Sequence, residues 1–355
     1  MDPFAQPFVK GRHRIAGREI PVVQTTWTAA DRLGAARVRW GIGRYDYLVE
    51  PGLYAVGAPK SSAPVLVTAN YKLSFDRLRR ELAGQDVFVL VLQTLGINVW
   101  CAAGKGTFGT DELCRRIEAV KLGEVVAHHR LILPQLGAPG VAAHEVRRRS
   151  GFRVTYGPVE AADLPAFLAR GRKATPAMRR KRFPLRDRAA LVPMELVPAL
   201  KYGLPGMAVL ALVAGFIGPA DGFWANLGHA GALAVLATGL AVVCGAVLTP
   251  LLLPWIPVRA FAAKGALIAL VLGSPAILGS ASLRGASPGP GWIAPSGLAL
   301  FAVALASFLG MTFTGSSTYT GLSGVEREMR VAVPAQIGAG VVGIAAWVIA
   351  LTLGL

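Results

Sequence analysis

Beyond Lys201 the chain all but loses its charge. Its remaining acidic residues are Asp221, Glu326 and Glu328, and its remaining basic ones are Arg259, Lys264, Arg284, Arg327 and Arg330, read as falling between long apolar stretches. The 200 residues before that point are mixed and charged. Five apolar spans can be drawn, at about 201–218, 228–250, 262–280, 296–314 and 335–355. Each is near the ~20 residues needed to cross a ~30 Å hydrocarbon core. A hydrophobic content of 53% and a mean hydropathy of +0.49 exclude an ordinary soluble protein. The expected plan is a soluble domain over 1–170, a basic juxtamembrane linker over 171–200 and an all-α transmembrane domain of about five helices over 201–355.

Pro-rich and Gly-rich connectors, such as Pro254-Trp255-Ile256-Pro257 and Ser287-Pro288-Gly289-Pro290-Gly291, separate the spans. Gly338, Gly340 and Gly343 in the last span suggest helix packing. Orientation follows the basic residues. Arg170, Arg172, Lys173, Arg179, Arg180, Lys181, Arg182, Arg186 and Arg188 cluster before the first span, Arg259 and Lys264 lie in the second connector, and Arg327 and Arg330 lie in the fourth. This alternation predicts a multi-pass protein of the inner (cytoplasmic) membrane, with its N-terminal domain in the cytoplasm and its C-terminus outside. The basic run abuts a span, so anionic membrane lipid explains the net charge of +17 better than nucleic acid, and no nucleic-acid partner is expected. Met1–Pro7 has no apolar core of the kind a signal peptide needs.

The soluble part alternates apolar runs with amphipathic stretches. Strands are expected at Pro64–Thr68, Val87–Leu92, Val125–Leu133 and Phe152–Tyr156, and helices at Ser74–Leu82, Thr110–Leu122, Val141–Arg149 and Ala162–Leu168. This βαβα order predicts a mostly parallel sheet with helices on both faces, a Rossmann-like α/β domain. Ligands of such sheets bind beyond the carboxyl ends of the strands. Thr68-Ala69-Asn70, Thr94–Gly104, Pro134-Gln135-Leu136 and Gly157-Pro158 all follow expected strands and should converge on one rim.

One of these segments, Gly96-Ile97-Asn98-Val99-Trp100-Cys101-Ala102-Ala103-Gly104-Lys105-Gly106, places a thiol in the first turn of a short helix. Asn98 is a preferred N-cap, and Gly104 or Gly106 can take the left-handed conformation that ends a helix. The positive end of such a helix favours thiolate, and Ala102 and Ala103 leave room for a large flat group to approach the sulfur. A lone cysteine is most often a small buried hydrophobe, but Gly, Asn, Trp and Lys do not make an ordinary core strand. A phosphate-binding loop fails on spacing, since Val99 stands where its first glycine belongs and Gly106 follows Lys105 in place of Ser or Thr. Cys114, on a helix face, and Cys244, in the second span, read as structural; three scattered cysteines cannot hold a four-thiolate iron–sulfur cluster. His128 and His129, in an expected strand, and His144, on a helix, lack the carboxylate spacing of a zinc site.

The segment Asn98–Lys105 resembles the cap helix of the mercury-methylation corrinoid proteins, the HgcA family. Val67-Thr68-Ala69-Asn70-Tyr71-Lys72, Leu133-Pro134-Gln135-Leu136-Gly137-Ala138 and Val154-Thr155-Tyr156-Gly157-Pro158 resemble the corrinoid domain shared with the large subunit of the corrinoid iron–sulfur protein. The likeness covers roughly 45–170, and the apolar C-terminal part fits the same family. It implies a corrinoid (cobalamin-type, cobalt) cofactor, with Cys101 as the lower axial cobalt ligand and the catalytic residue. The implied reaction moves a methyl group from methyl-cobalt(III) to inorganic Hg(II), forming methylmercury. Thr68, Asn70, Thr94, Gly96, Asn98, Val99, Trp100, Cys101, Ala102, Ala103, Gly104, Lys105, Pro134, Gln135 and Leu136 are the implied corrinoid-binding residues. The Asp-x-His-x-x-Gly motif that supplies imidazole in many cobalamin enzymes is absent. The implied partners are a ferredoxin-like protein with two 4Fe-4S clusters (HgcB) as electron donor, and a methyl donor protein or methyl-folate. Two alternatives stay open: a membrane-tethered corrinoid methyl carrier of one-carbon metabolism without mercury specificity, and a transporter with a soluble regulatory domain. The second is disfavoured by the lack of charge expected within the spans.

Overall fold

The computed structural model describes residues 2–285, 289–317 and 322–355, so 287 and 288 of the Ser287–Gly291 connector lie outside the described residues. Two compact units emerge, one of Met1–Val38 with Ile42–Arg182 and one of Arg39–Gly41 with Phe183–Leu355.

In the first unit the elements are β1 (Val9–Ile15), β2 (Arg18–Val23), α1 (Ala29–Arg39), β3 (Gly52–Val56), β4 (Val65–Ala69), α2 (Lys72–Glu81), β5 (Val87–Leu92), α3 (Val99–Gly104), α4 (Thr110–Ala119), α5 (Leu122–Val125), β6 (Arg130–Leu133), α6 (Ala143–Ser150), β7 (Arg153–Tyr156) and α7 (Leu164–Ala169). The strands form one seven-stranded sheet in the order β1-β2-β3-β5-β4-β6-β7. β4, β5, β6 and β7 run parallel, with Leu66 opposite Val89 and Ile132 in register. β3 joins β5 antiparallel, and β1–β2 is an antiparallel hairpin.

β3, β4 and β5 are buried along their whole length, as apolar runs in the middle of a two-sided sheet must be. Alternate residues of each strand feed two separate cores. Val67, Ala69 and Leu92 pack with Ala102, Phe108 and Leu113 on one face; Leu66, Val89 and Val91 pack with Phe75, Leu78 and Phe167 on the other. The α/β domain with helices on both faces is therefore as the sequence predicts. One strand differs. Val125 ends the short helix α5 and the strand begins only at Arg130, so His128 and His129 lie in the turn before it.

The second unit holds five helical spans long and apolar enough to cross a membrane: Leu185–Ile217, Phe223–Leu252, Phe261–Leu283, Pro290–Ser316 and Ser323–Leu353. They start earlier than the apolar runs, and in the first and last spans the added turns carry charged residues. Glu326, Arg327, Glu328 and Arg330 sit inside the last helix, not in a connector. Lys264 likewise lies inside the third span, buried, and donates to the carbonyls of Leu253 (2.9 Å) and Ile256 (2.7 Å). Its flexible stem reaches backbone acceptors that the end of the second span leaves open. Of the three packing glycines, Gly343 behaves as expected: a methyl group there would lie 2.6 Å from the Gly297 carbonyl oxygen. Gly338 and Gly340 face open space.

Candidate functional site

The parallel strands β4, β5, β6 and β7 end on one edge of the sheet, and the loops that follow them form a single rim. The loop after β5 is the most elaborate. Leu95 and Gly96 both take the left-handed conformation, with φ of 57° and 69°. For leucine this is a strained state, and it persists only where surrounding contacts impose it. Asn70, at the end of β4 and 1% exposed, imposes it. Its carboxamide oxygen accepts from the Thr94 amide (3.0 Å) and the Gly96 amide (3.1 Å), and the Thr94 hydroxyl lies 2.9 Å from it. Its amide nitrogen donates to Gln93 Oε1 at 2.8 Å, and that oxygen also accepts from the Leu95 amide. The Thr94 hydroxyl then donates to the Ile97 carbonyl at 2.8 Å. Gly96 is required for a further reason, since a side chain there would run into Leu48, with a methyl group 2.5 Å from its Cδ2.

The loop leads into α3. Asn98 caps it as its residue type predicts, its Oδ1 accepting from the Cys101 amide at 3.0 Å. Gly106, at φ 79°, ends the turn beyond it, whereas Gly104 stays helical. Ala102 and Ala103 are buried against the sheet. Gly140, in the 3-10 stretch Gln135–Gly140, closes over them from the other side. A methyl group at Gly140 would lie 2.2 Å from the Phe108 carbonyl oxygen and 2.9 Å from Ala103 Cα, both backbone atoms. α3 is thus clamped from below by the sheet and laterally by the loop after β6. Its outward face carries what remains. Cys101 is half-buried, Gly104 and Lys105 are exposed, and the space beside Gly104 is open. Cys101, Gly104 and Lys105, at i, i+3 and i+4, share that face.

The sequence-derived site residues therefore divide. Asn70, Thr94, Gly96 and Asn98 build the loop; Ala102 and Ala103 seat the helix; Cys101, Gly104 and Lys105 face outward. Val99 and Trp100 are half-buried in the same helix, and Pro134, Gln135 and Leu136 line the neighbouring loop. Thr68 is apart from these. It is buried, and its place in β4 puts it on the face shared by Leu66, opposite the one on which α3 packs.

Two supports were not visible in the sequence pattern. Glu112, in the first turn of α4, accepts from the Gln93 amide at 2.7 Å and fixes the start of the loop. Burial works to raise its carboxyl pKa, but the Gln93 amide with Arg115 and Arg116 overcomes this and holds it below the usual carboxylate range. The signal available was an acidic residue with arginines three and four positions on, which reads as ordinary helix pairing. The other support is the basic run. Met178 accepts from the Val159 amide through its carbonyl at 2.9 Å, Arg179 donates to Gln135 Oε1 at 2.8 Å, and Lys181 pairs with Glu160 at 2.5 Å. Residues 178–181 thus strap the loops after β6 and β7.

The geometry also gives an expectation for Asn70. Asn70→Ala leaves two backbone donors of a buried turn without their acceptor, at a cost on the order of 3 kcal/mol. Amide exchange of residues 94–98 should accelerate strongly while β4 and β5 stay protected; equal protection in the variant would show that the turn holds without Asn70.

Residues 43–168 match the family described as CO dehydrogenase/acetyl-CoA synthase delta subunit. The gamma subunit of the acetyl-CoA decarbonylase/synthase complex of Methanopyrus kandleri is 32% identical over 122 residues, 34% of this chain and 26% of that protein. The corrinoid/iron-sulfur protein large subunit of Moorella thermoacetica is 31% identical over 121 residues, 34% of this chain and 27% of that protein. Residues 43–168 form a domain related to these proteins. The chain spans about a quarter of the length of the curated relatives it matches. The related domain contains every candidate site residue and excludes β1, β2, α1 and the five spans.

Proposed function

We propose that the chain is a membrane-anchored corrinoid methyltransferase that methylates inorganic Hg(II), with Cys101 as the lower axial ligand of the cobalt. One observation carries the corrinoid part: a half-exposed thiol shares a helix face with the bare backbone of Gly104, on the rim beyond four parallel strands. That face fits a large planar group with one soft ligand, since the sulfur is accessible and no side chain stands at Gly104. The relationship of residues 43–168 to a corrinoid/iron-sulfur protein large subunit supports the same cofactor. A bound corrinoid supplies a methyl group held on cobalt, which a soft metal ion can accept.

The chain's own residues have narrower tasks. Cys101 would hold the cobalt through its sulfur. Asn98, engaged in capping, fixes the helix turn that carries the sulfur, and Asn70 and Glu112 fix the loop that carries the helix. Lys105 sets a positive charge one turn from the thiol. The chain has three cysteines, too few for a four-thiolate cluster, so this reading draws its electrons from another protein. That source is a ferredoxin-like protein with two 4Fe-4S clusters (HgcB), and the methyl group comes from a methyl donor protein or methyl-folate.

Mercury as acceptor rests on the likeness of Asn98–Lys105 to the mercury-methylation proteins. A second reading has its own support, because the Methanopyrus kandleri relative is named as a subunit of an acetyl-CoA decarbonylase/synthase complex. It makes the chain a membrane-tethered methyl carrier of one-carbon metabolism, using the same Cys101 site. The purified full chain, loaded with methylated corrinoid, separates them. Methylmercury formation well above that of the free corrinoid, with no transfer to competing acceptors, is expected; rapid transfer to a thiol or nickel acceptor with none to Hg(II) selects the second reading. Without a reductant the loaded protein should complete a single turnover, and a reduced ferredoxin with a methyl donor should restore cycling. Sustained turnover without reductant would remove the need for the electron-donating partner.

This reading sets the chemistry at the inner membrane with the α/β domain in the cytoplasm, supported by five apolar spans and the dense basic run before the first of them. A reporter active only in the cytoplasm, fused after Leu355, should be silent. A strong signal there would overturn the five-span topology.

A further inference from the structure

We propose that α1 and the loop after it form an interfacial anchor that inserts into an anionic phospholipid surface. The inner face of α1 buries Asp31, Ala35 and Val38. Its outer face carries Leu33, Ala36 and Trp40 at helical spacing, with Leu33 62% and Trp40 48% exposed. The chain continues through Gly41 and Gly43, both left-handed, which turn Ile42 and Tyr45 outward at 52% and 84% exposure. A soluble domain rarely gathers so many large apolar side chains on one exposed strip.

Charge and position both indicate lipid. Arg32 and Arg37 flank the apolar strip, are exposed and make no ion pair among the described residues. Apolar and aromatic groups bordered by arginine are the composition of segments that lie in the headgroup region, the rings at the acyl boundary and the guanidinium groups on phosphates. The second unit takes in Arg39–Gly41 together with the spans. Within it a methyl group at Gly41 would lie 3.9 Å from Val197 Cγ1, near the start of the helix Val192–Ile217. Gly41 therefore lies beside the first turns of that helix. Residues up to 42 also fall outside the stretch matched by the related family, so this element is separate from the shared domain.

The anchor has a consequence for the site, whatever that site transfers. Leu48 packs on Gly96, and the Val49 amide donates to the Asn70 carbonyl at 2.9 Å. The chain that leaves the anchor at Tyr45 thus reaches the loop bearing α3 within a few residues.

Spin labels on the full chain test this. In a Cys101→Ser background, nitroxides are attached at Ile42→Cys and, separately, at Tyr45→Cys, with a control at Gly17→Cys in the β1–β2 turn. The proteins are placed in nanodiscs of phosphatidylcholine alone or with phosphatidylglycerol, and unchanged thermal unfolding verifies each fold. Both anchor labels should be relaxed several-fold more by oxygen than by a water-soluble nickel complex, relative to the control. The contrast should grow with phosphatidylglycerol and shrink in Arg32→Gln/Arg37→Gln. Labels as open to nickel as the control would overturn the anchor, and labels shielded from both relaxants would do so too, assigning the strip to a protein partner. Neither result bears on the corrinoid reading, which uses other residues.

Discussion

Cys101→Ala should abolish methyl transfer while leaving the protein folded. The thiol is half-exposed, and among the described residues no hydrogen bond is made to its sulfur. Alanine is the better helix former, so the cost to stability is within about 0.5 kcal/mol. Losing the residues that merely orient a metal ligand costs 10–100-fold, so losing the ligand itself should cost at least about 100-fold in activity. A second readout separates ligation from general damage: the visible spectrum of the oxidised, corrinoid-loaded protein should shift as sulfur leaves the axial position. Asn98→Ala supplies the contrast. It removes the cap, at about 1 kcal/mol, and leaves the sulfur in place, so the spectrum should keep its thiolate character with weakened corrinoid retention. An unchanged spectrum and activity in Cys101→Ala would remove the axial-ligand assignment. Every later step of the proposed function would then need another donor.

That cysteine was legible because local rules agree around it: a capping Asn, small residues, then a glycine with positive φ. β5 was legible for a similar reason, and the expected Val87–Leu92 is the observed strand, an unbroken apolar run between polar turns. The first sixty residues were silent. β1 reads Val-Lys-Gly-Arg-His-Arg-Ile and is largely exposed, so no burial pattern marks it, and it is a strand only because β2 pairs with it. The expected strand Val125–Leu133 failed where Val125 and Val126 close a helical turn, since a short apolar run fits either period. Span ends drifted because hydropathy stops at the first charge, whereas helices such as Leu322–Leu353 run on through Glu326 and Arg330. The site loop shows the same limit. Asn70 and Gly96 lie 26 positions apart and meet through a hydrogen bond that no local pattern announces.

The motif residue Lys72 belongs to a different device, and disrupting it should give the largest loss of stability in the α/β domain. Lys72 Nζ lies 2.8 Å from Asp31 Oδ1 and 2.6 Å from Asp76 Oδ2; Arg79 meets Asp76 at 2.8 Å and Asp31 at 2.9 Å, and also donates to the Gln24 carbonyl at 2.6 Å. The side chains of Asp76 and Arg79 are wholly buried. Together the four groups bind α1 to α2, and through Gln24 the segment before α1 as well, directly beyond Asn70. Asp76→Ala would leave two cations facing one carboxylate in a dry setting, which costs about 3–5 kcal/mol. The double variant Asp76→Leu/Arg79→Met removes a matched pair, so its loss should fall well short of the sum of the single losses. The pH dependence follows from the shifts. Burial works to raise the Asp31 carboxyl, but Lys72 and the Thr28 amide overcome it and hold its pKa well below the usual range. A carboxyl depressed by folding contributes fully above its unfolded pKa of about 4 and loses that contribution as pH falls below it. Burial works to lower Lys72, but Asp76 and Asp31 keep it raised, so its contribution is full below about pH 10 and is lost as pH rises through its folded value. Thermal unfolding of the full chain, followed through exchange of β4 and β5 amides, should therefore be flat between these limits and fall on the acid side. In Asp31→Asn that acid limb should shrink. An acid limb of undiminished size in this variant would mean that other carboxylates, not this network, set the acid stability of the domain.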